Sequence, residues 1–186
     1  MAITVDEARL LMHEWVQSES LRGHMEAVAA AMTFFGSIHE PDDVDRWTIT
    51  GLLHDYDYEK HPTEEEHPFV GVEELRTRGD VDADIVDAIL GHALYSGVPR
   101  TTPMAKHLFA CDELCGLIVA CCKVRPDGIE SLQPKSVKKK LKDKAFAAAV
   151  NRDDIALGVE ELGIEPTELI QGCIDGIRAK RDRVGV

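Results

Sequence analysis

Apolar residues recur at helical spacing along almost the whole chain, and this periodicity constrains the fold more than any other feature. Ala8, Leu11 and Trp15 share one helical face, and the same spacing returns at Ile85 and Ile89. A sustained alternation of β-branched residues, which would indicate strands, is missing from the sequence. The pattern therefore predicts an all-α fold, a single-domain helical bundle.

Caps and prolines set the predicted ends of the helices. A capping box at Thr4 and Glu7 opens the first helix, and prolines open several later ones. The loop 56–66 contains Pro62 and separates the third helix from the fourth. We predict helices after Thr4, from about Ser20 to Gly36, from Pro41 to His54, from Pro68 to Arg78, from Asp82 or Asp84 to His92, from Thr102 to Val124, and over 137–150, 153–162 and 166–183.

Length and composition are typical of one folded domain. The 186 residues are 44% hydrophobic and 30% charged, and they include no repeat or Gly/Ser linker. Four of the five cysteines lie within residues 111–122, which predicts buried thiols rather than a disulfide framework. We assign Trp47, Phe69 and Tyr95 to the core by default, with a pocket wall or a dimer surface as alternatives.

The charge balance excludes some partners. The chain has 21 Lys and Arg against 34 Asp and Glu, a net charge of −13. This acidity argues against a nucleic-acid polymer and against an anionic membrane surface. The sequence has no apolar run of about 18 residues and no leader-like start, so we expect no membrane association and a cytoplasmic protein. A homodimer remains open.

Ionisable side chains occupy helix faces that should be apolar: His24, the His54-Asp55 pair, His92 and Asp112. Burying such groups is costly unless they are paired, neutralised or bound to metal. A single such histidine is commonly a hydrogen-bonded core residue. Together, however, imidazoles and carboxylates are ligands for divalent metals, and helices of a bundle can direct them at one point. The set predicts a metal site.

The order His24, His54-Asp55, Asp112 resembles the H…HD…D signature of the HD-domain superfamily, which comprises all-α, metal-dependent phosphohydrolases. The segments LRGHMEAVAAAM, GLLHDYDYEKHP, HPFVGVEEL, AILGHA and CDELCGLI are similar to successive blocks of its HDIG-type single-domain hydrolases. The resemblance covers about residues 5–180. It implies one HD domain over 1–186, with a metal-binding core at about 20–125 and a C-terminal helical extension at about 131–184.

The resemblance also implies the ligands of the metal. Some HD proteins bind a second ion, and His67 and His92 occupy positions similar to those of the extra ligands, with Asp55 bridging. His61 competes for this second ion, although its loop position favours a surface role. The ions would be Mn, Fe, Co, Ni, Mg or Zn. The first ion would be held by His24, His54, Asp55 and Asp112.

The activity implied is hydrolysis of a phosphate ester, either a nucleotide or a small phosphorylated metabolite, by a metal-activated water. Asp55 would be catalytic as well as a ligand. Asp57 is a candidate for orienting a ligand or activating the water, or else an exposed loop acid. Arg22 is a candidate phosphate contact. Lys138 is a second candidate phosphate contact. It lies in the segment 131–150, which has six lysines and one aspartate, and the alternative for this segment is a solvated helix face.

Two other functions remain open: a di-iron oxygenase of the HD type, and a non-catalytic metal- or nucleotide-binding regulatory domain. The chain differs from the related HD-GYP cyclic-dinucleotide phosphodiesterases. Tyr56-Asp57-Tyr58 stands where they have a glycine-lysine pair, and no GYP block follows His92. Hydrolysis of cyclic di-GMP is therefore not expected.

Overall fold

The computed structural model describes residues 2–186, which form a helical bundle. A short 3-10 turn spans Leu94–Ser96. Residues 2–186 include no β-strand, so the predicted all-α fold is confirmed. The α-helices of this region are α1 (Val5–Trp15), α2 (Glu19–His39), α3 (Val44–Leu53), α4 (Phe69–Arg78), α5 (Ala83–His92), α6 (Pro103–Lys123), α7 (Pro134–Leu141), α8 (Arg152–Leu162), α9 (Pro166–Ala179) and α10 (Arg181–Val184).

The two longest helices, α2 and α6, form the centre of the bundle. Helix α2 packs against α3, α6 and α9, and α6 also packs against α5 and α8. The contact between α2 and α3 is unusually close, because a Cβ atom on Gly51 would lie 2.5 Å from Ala29 Cα. Only glycine permits this backbone approach. The contact holds the C-terminal end of α3 beside α2, and the His54-Asp55 pair follows directly.

The core confirms some side-chain assignments and corrects others. All five cysteines are buried and free, as predicted. Trp47 is fully buried, whereas Phe69 is 37% exposed and Tyr95 is 43% exposed, so the default assignment of the last two to the core is wrong. Within residues 2–186, no helix is both long and apolar enough to cross a membrane.

The first six predicted helices match the observed ones closely, but the seventh differs. Helix α7 ends at Leu141, and residues 142–150 form turns in place of the predicted helix. The guanidinium of Arg152 donates hydrogen bonds to the backbone carbonyls of Ala147 and Val150, at 2.8 and 2.7 Å, and to that of Phe146. These side-chain bonds stabilise the turns, and helical periodicity does not report them.

The last predicted helix is divided in two. Helix α9 ends at Ala179, and Lys180 leaves the helical region with φ −123°. Helix α10 then packs against α2. The 3-10 turn at Leu94–Ser96 is a further element that the sequence did not predict.

Candidate metal centre

Four side chains from the ends and faces of three helices converge on one point. His24 projects from α2, His54 and Asp55 follow α3, and Asp112 projects from α6. His24 Nε2 lies 3.0 Å from Asp112 Oδ1 and 3.3 Å from His54 Nε2. One ligand atom from each residue lies within 4.8 Å of the others, so these four residues could hold one metal ion. We call them the first ligand group.

A second ligand group consists of Asp55, His67 and His92. His67 closes the loop before α4, and His92 is the last residue of α5. Their Nε2 atoms lie 3.2 Å apart, and Asp55 Oδ1 is 3.3 Å from the first and 3.4 Å from the second. His61 belongs to neither group, because its ring lies 3.2 Å from the Glu66 carboxylate.

Asp55 is shared by both groups and presents a different oxygen to each. Its Oδ2 atom lies 3.5 Å from His54 Nε2 and 3.7 Å from His24 Nε2, whereas Oδ1 faces the second group. This is the arrangement of a carboxylate that bridges two cations. The structure thus brings together all six residues named as ligands from the sequence.

The orientation of the imidazoles fits metal ligation. His54 Nδ1 lies 2.8 Å from the Gly51 carbonyl oxygen, and His92 Nδ1 is bonded to the Ile89 carbonyl oxygen. A carbonyl only accepts hydrogen bonds, so Nδ1 of each ring carries the proton and Nε2 directs a lone pair into the cluster. Lone pairs and carboxylate oxygens that face one another at these distances would be stabilised by a cation between them.

The electrostatics of the same residues also favour positive charge in the cluster. Burial lowers the pKa of His54, but Asp55 and Asp112 outweigh it and raise the pKa to about 9. Burial also lowers the pKa of His67, but the hydrogen bonds and charges of Asp55 and Asp57 outweigh it and raise the pKa to about 9. Despite burial, the histidines hold the pKa of Asp55 well below its usual range. Protons would therefore occupy the cluster whenever a metal did not.

Asp57 lies behind the second ligand group. It is 1% exposed, which excludes the exposed loop acid considered from the sequence. Its Oδ1 accepts a hydrogen bond from His67 Nδ1 and its Oδ2 accepts one from the Gly71 backbone N–H, both at 2.8 Å. A Cβ atom on Gly71 would lie 2.9 Å from the Asp57 carboxylate, so glycine is needed there. Asp57 therefore orients His67, and both its oxygens are occupied.

A cavity of about 680 Å³ opens onto the metal centre. Five of the six candidate ligands line it: His24, Asp55, His67, His92 and Asp112. Its other walls come from the loop after α3, the 3-10 turn, α6 and the start of α8. The side chains there that carry polar groups are Tyr58, Glu64, Tyr95, Glu113, Asn151 and Asp154.

The structure places Arg22 and Lys138 away from this cavity. The Arg22 guanidinium donates hydrogen bonds to the Val16 carbonyl at 2.8 Å and to the His13 carbonyl at 3.0 Å, at the end of α1. Lys138 Nζ lies 3.2 Å from Thr167 Oγ1 on α9. Proximity of Arg22 to His24 in sequence suggested a shared site. Two residues apart on α2, however, their side chains point in directions that differ by about 200°, and the end of α1 engages the arginine.

Sequence reasoning missed most of the cavity wall. Burial and the nearby charge of Asp112 raise the pKa of Glu113 to about 7. Burial and the charges of Glu64 and Asp55 raise that of Tyr95 to about 12. The adjacency of Glu113 to Asp112 was an available signal. Asp154 gave no such signal, because only tertiary folding brings α8 to α6, the helix that carries Asp112.

The fold is an all-α bundle, and its helices direct four histidines and two aspartates into two adjacent groups. These features place the protein in a class of helical proteins suited to divalent metals. The model of the HD-domain family matches residues 21–116, more than half of the chain, and the protein belongs to this family. The match includes all six ligand residues. A search of curated proteins and a search of solved structures each returned no match.

Proposed function

We propose that the protein is a metal-dependent phosphohydrolase that cleaves a small phosphate ester. The observation that carries the proposal is the placement of Asp55, whose two oxygens face two separate ligand groups. Two cations, one held by each group with Asp55 shared between them, would suit an in-line displacement, in which the attacking and the leaving oxygen both need stabilisation. Membership of the HD family, which consists largely of metal-dependent hydrolases, supports the same activity.

Divalent cations bound here would polarise a phosphoryl oxygen and lower the pKa of a coordinated water toward neutrality. The chain itself holds the ligands rigid, through the Nδ1 bonds of His54, His67 and His92 described above. Tyr95 lines the cavity, and its pKa of about 12 keeps the hydroxyl protonated at neutral pH. It can therefore donate a hydrogen bond to a phosphate oxygen.

The test is metal-dependent release of p-nitrophenol from p-nitrophenyl phosphate and from its diester, with Mn, Co, Ni, Mg or Zn. We expect release with at least one metal, and we expect Asp55→Ala to abolish it because both groups lose a ligand. Asp87→Ala is the matched control, since Asp87 is an exposed acid on α5 outside the cavity. Circular dichroism establishes that each variant is folded.

The metal content, together with the ester assay, distinguishes the phosphohydrolase from a di-iron oxygenase and from a non-catalytic regulatory domain. His67→Ala and His92→Ala should lower the stoichiometry from two ions per chain toward one. A count of one in the wild type and in both variants contradicts the two-ion centre. Two irons with a mixed-valence signal favour the di-iron oxygenase. Bound metal with no release from either ester, under any of the five metals, favours the non-catalytic regulatory domain.

A further inference from the structure

The walls of the cavity are acidic beyond the metal ligands. Glu64, Glu113 and Asp154 add three carboxyl groups to those of Asp55 and Asp112. Among residues 2–186, no lysine or arginine side chain lines this cavity. A phosphate-binding pocket commonly carries such cations, so their absence restricts which phosphate ester can bind.

Two arginines adjoin the cavity wall, Arg100 through Phe109 and Arg152 as the residue after Asn151, and both bond to other parts of the protein. Arg100 stacks over the ring of Phe109, a residue of the cavity wall, at 3.9 Å, and it pairs with Glu161. It also donates to the Gly91 carbonyl at 2.7 Å. Arg152 donates to the backbone carbonyls of the 142–150 turns, as described above. Neither guanidinium is directed at a ligand in the cavity.

Two of the wall carboxylates form a pair around Asn151. The Asn151 backbone N–H donates to Glu113 Oε2 at 3.0 Å, and its side-chain amide donates to Asp154 Oδ2 at 2.8 Å. The other oxygen of each carboxylate has no hydrogen-bond partner in the part of the chain that the structure describes, residues 2–186. Both residues line the same cavity as the metal ligands His24 and Asp112. The pair is thus positioned to accept hydrogen bonds from a ligand that reaches the metals.

The charges decide what kind of ligand this is. Two divalent cations held by two carboxylates leave about two positive charges, which one phosphate dianion neutralises. A second anionic group on the substrate would then meet only carboxylates. A cationic group would meet the oxygens of Glu113 and Asp154 that lack partners, and would form charge-assisted hydrogen bonds with them.

We propose that the substrate of this site is a small phosphate monoester that carries an ammonium group, with the phosphate at the metal centre and the ammonium between Glu113 and Asp154. This inference rests on the proposed function for its phosphate end. It names Glu113 and Asp154 as specificity-determining residues, and it disfavours nucleoside di- and triphosphates.

The experiment is isothermal titration calorimetry on the metal-loaded protein with non-hydrolysable probes. Aminoethyl-, aminopropyl- and aminobutylphosphonate are compared with propyl-, butyl- and pentylphosphonate, in which a methyl group replaces the ammonium. Methylenediphosphonate supplies a second negative charge. We expect the best amine to bind about tenfold more tightly than its alkyl partner, and methylenediphosphonate to bind less tightly than that amine.

Glu113→Gln and Asp154→Asn should each bring the ratio of amine to alkyl affinity toward one without weakening the alkyl probe. Glu14→Gln is the matched control, because Glu14 is exposed on α1 and outside the cavity. Equal affinities in the wild type, a ratio that both cavity variants retain, or no binding of either probe overturns the inference. Release of p-nitrophenol without a preference for amines leaves the phosphohydrolase standing and this inference refuted. A preference for amines without release of p-nitrophenol refutes the phosphohydrolase and supports only the binding specificity assigned to Glu113 and Asp154.

Discussion

Substitution of Asp57 by asparagine tests whether a buried carboxylate outside the cavity controls the second ligand group. Asp57 accepts one hydrogen bond from His67 Nδ1 and one from the Gly71 N–H. Asparagine has the same shape but only one acceptor oxygen. One of the two donors would face an amide N–H₂ group and lose its acceptor.

The size of the expected loss of stability follows from the burial of Asp57. Loss of an acceptor for a buried donor costs about 1–3 kcal/mol, and Asp57 is only 1% exposed. For a chain of this length, about 2 kcal/mol lowers the melting temperature of the metal-free protein by roughly 4–8 °C. A residue that orients a ligating histidine typically changes metal affinity by about 10- to 100-fold. The change should fall on the ion held by His67 and His92.

The assay is a titration of metal-free protein with Zn or Mn in competition with a chromophoric chelator, fitted to two sites. We expect the site of the second ligand group to lose about 10- to 100-fold in affinity, and the site of the first ligand group to stay within about threefold of the wild type. Glu65→Gln makes the same charge change at an exposed position in the same loop, and should alter neither site. Unchanged affinity at both sites, or an equal loss at both, refutes the orienting role of Asp57.

Two further predictions concern stability. Gly51→Ala places a Cβ atom 2.5 Å from Ala29 Cα, so α2 and α3 must separate, and the free energy of unfolding in urea should fall by about 1–3 kcal/mol. An unchanged urea midpoint would contradict the close backbone contact. Burial lowers the pKa of His107 from 6.5 to about 4. Between these pH values the unfolded chain binds a proton that the folded chain does not, so stability declines as the pH falls. His107→Phe, which stays neutral, should remove up to about 3 kcal/mol of that decline, measured by urea unfolding near pH 7 and near pH 4. Parallel declines in the two proteins would show that His107 is not the group responsible.

The helices could be predicted because their signals are local. The capping box at Thr4 forms as expected, with the side chain of Glu7 reaching back to the Thr4 backbone. Pro103 begins α6 at the position where its missing N–H is harmless. The prediction failed over residues 142–150, where Arg152 donates to carbonyls that a helix would otherwise use. Side-chain hydrogen bonds from the residue just after this segment outweighed a favourable helical periodicity there.

The ligand residues could be named from sequence for a different reason. His24, His54 and Asp112 interrupt apolar helical faces, and a buried ionisable group needs a partner. His92 gave the same signal. His67 gave no such signal, because it closes a loop rather than a helix, and only the resemblance to HD proteins pointed to it.

The sequence by itself determined the all-α class, the buried thiols and five of the six candidate ligands, all except His67, because helical periodicity and the cost of burying charge act on each segment separately. Only the tertiary structure decided how these residues are used. It divided them into two groups that share Asp55, and it engaged Arg22 and Lys138 elsewhere. It also brought Glu113 and Asp154 to the cavity wall. Those outcomes depend on which helix packs against which, and the spacing of residues along one chain does not contain that information.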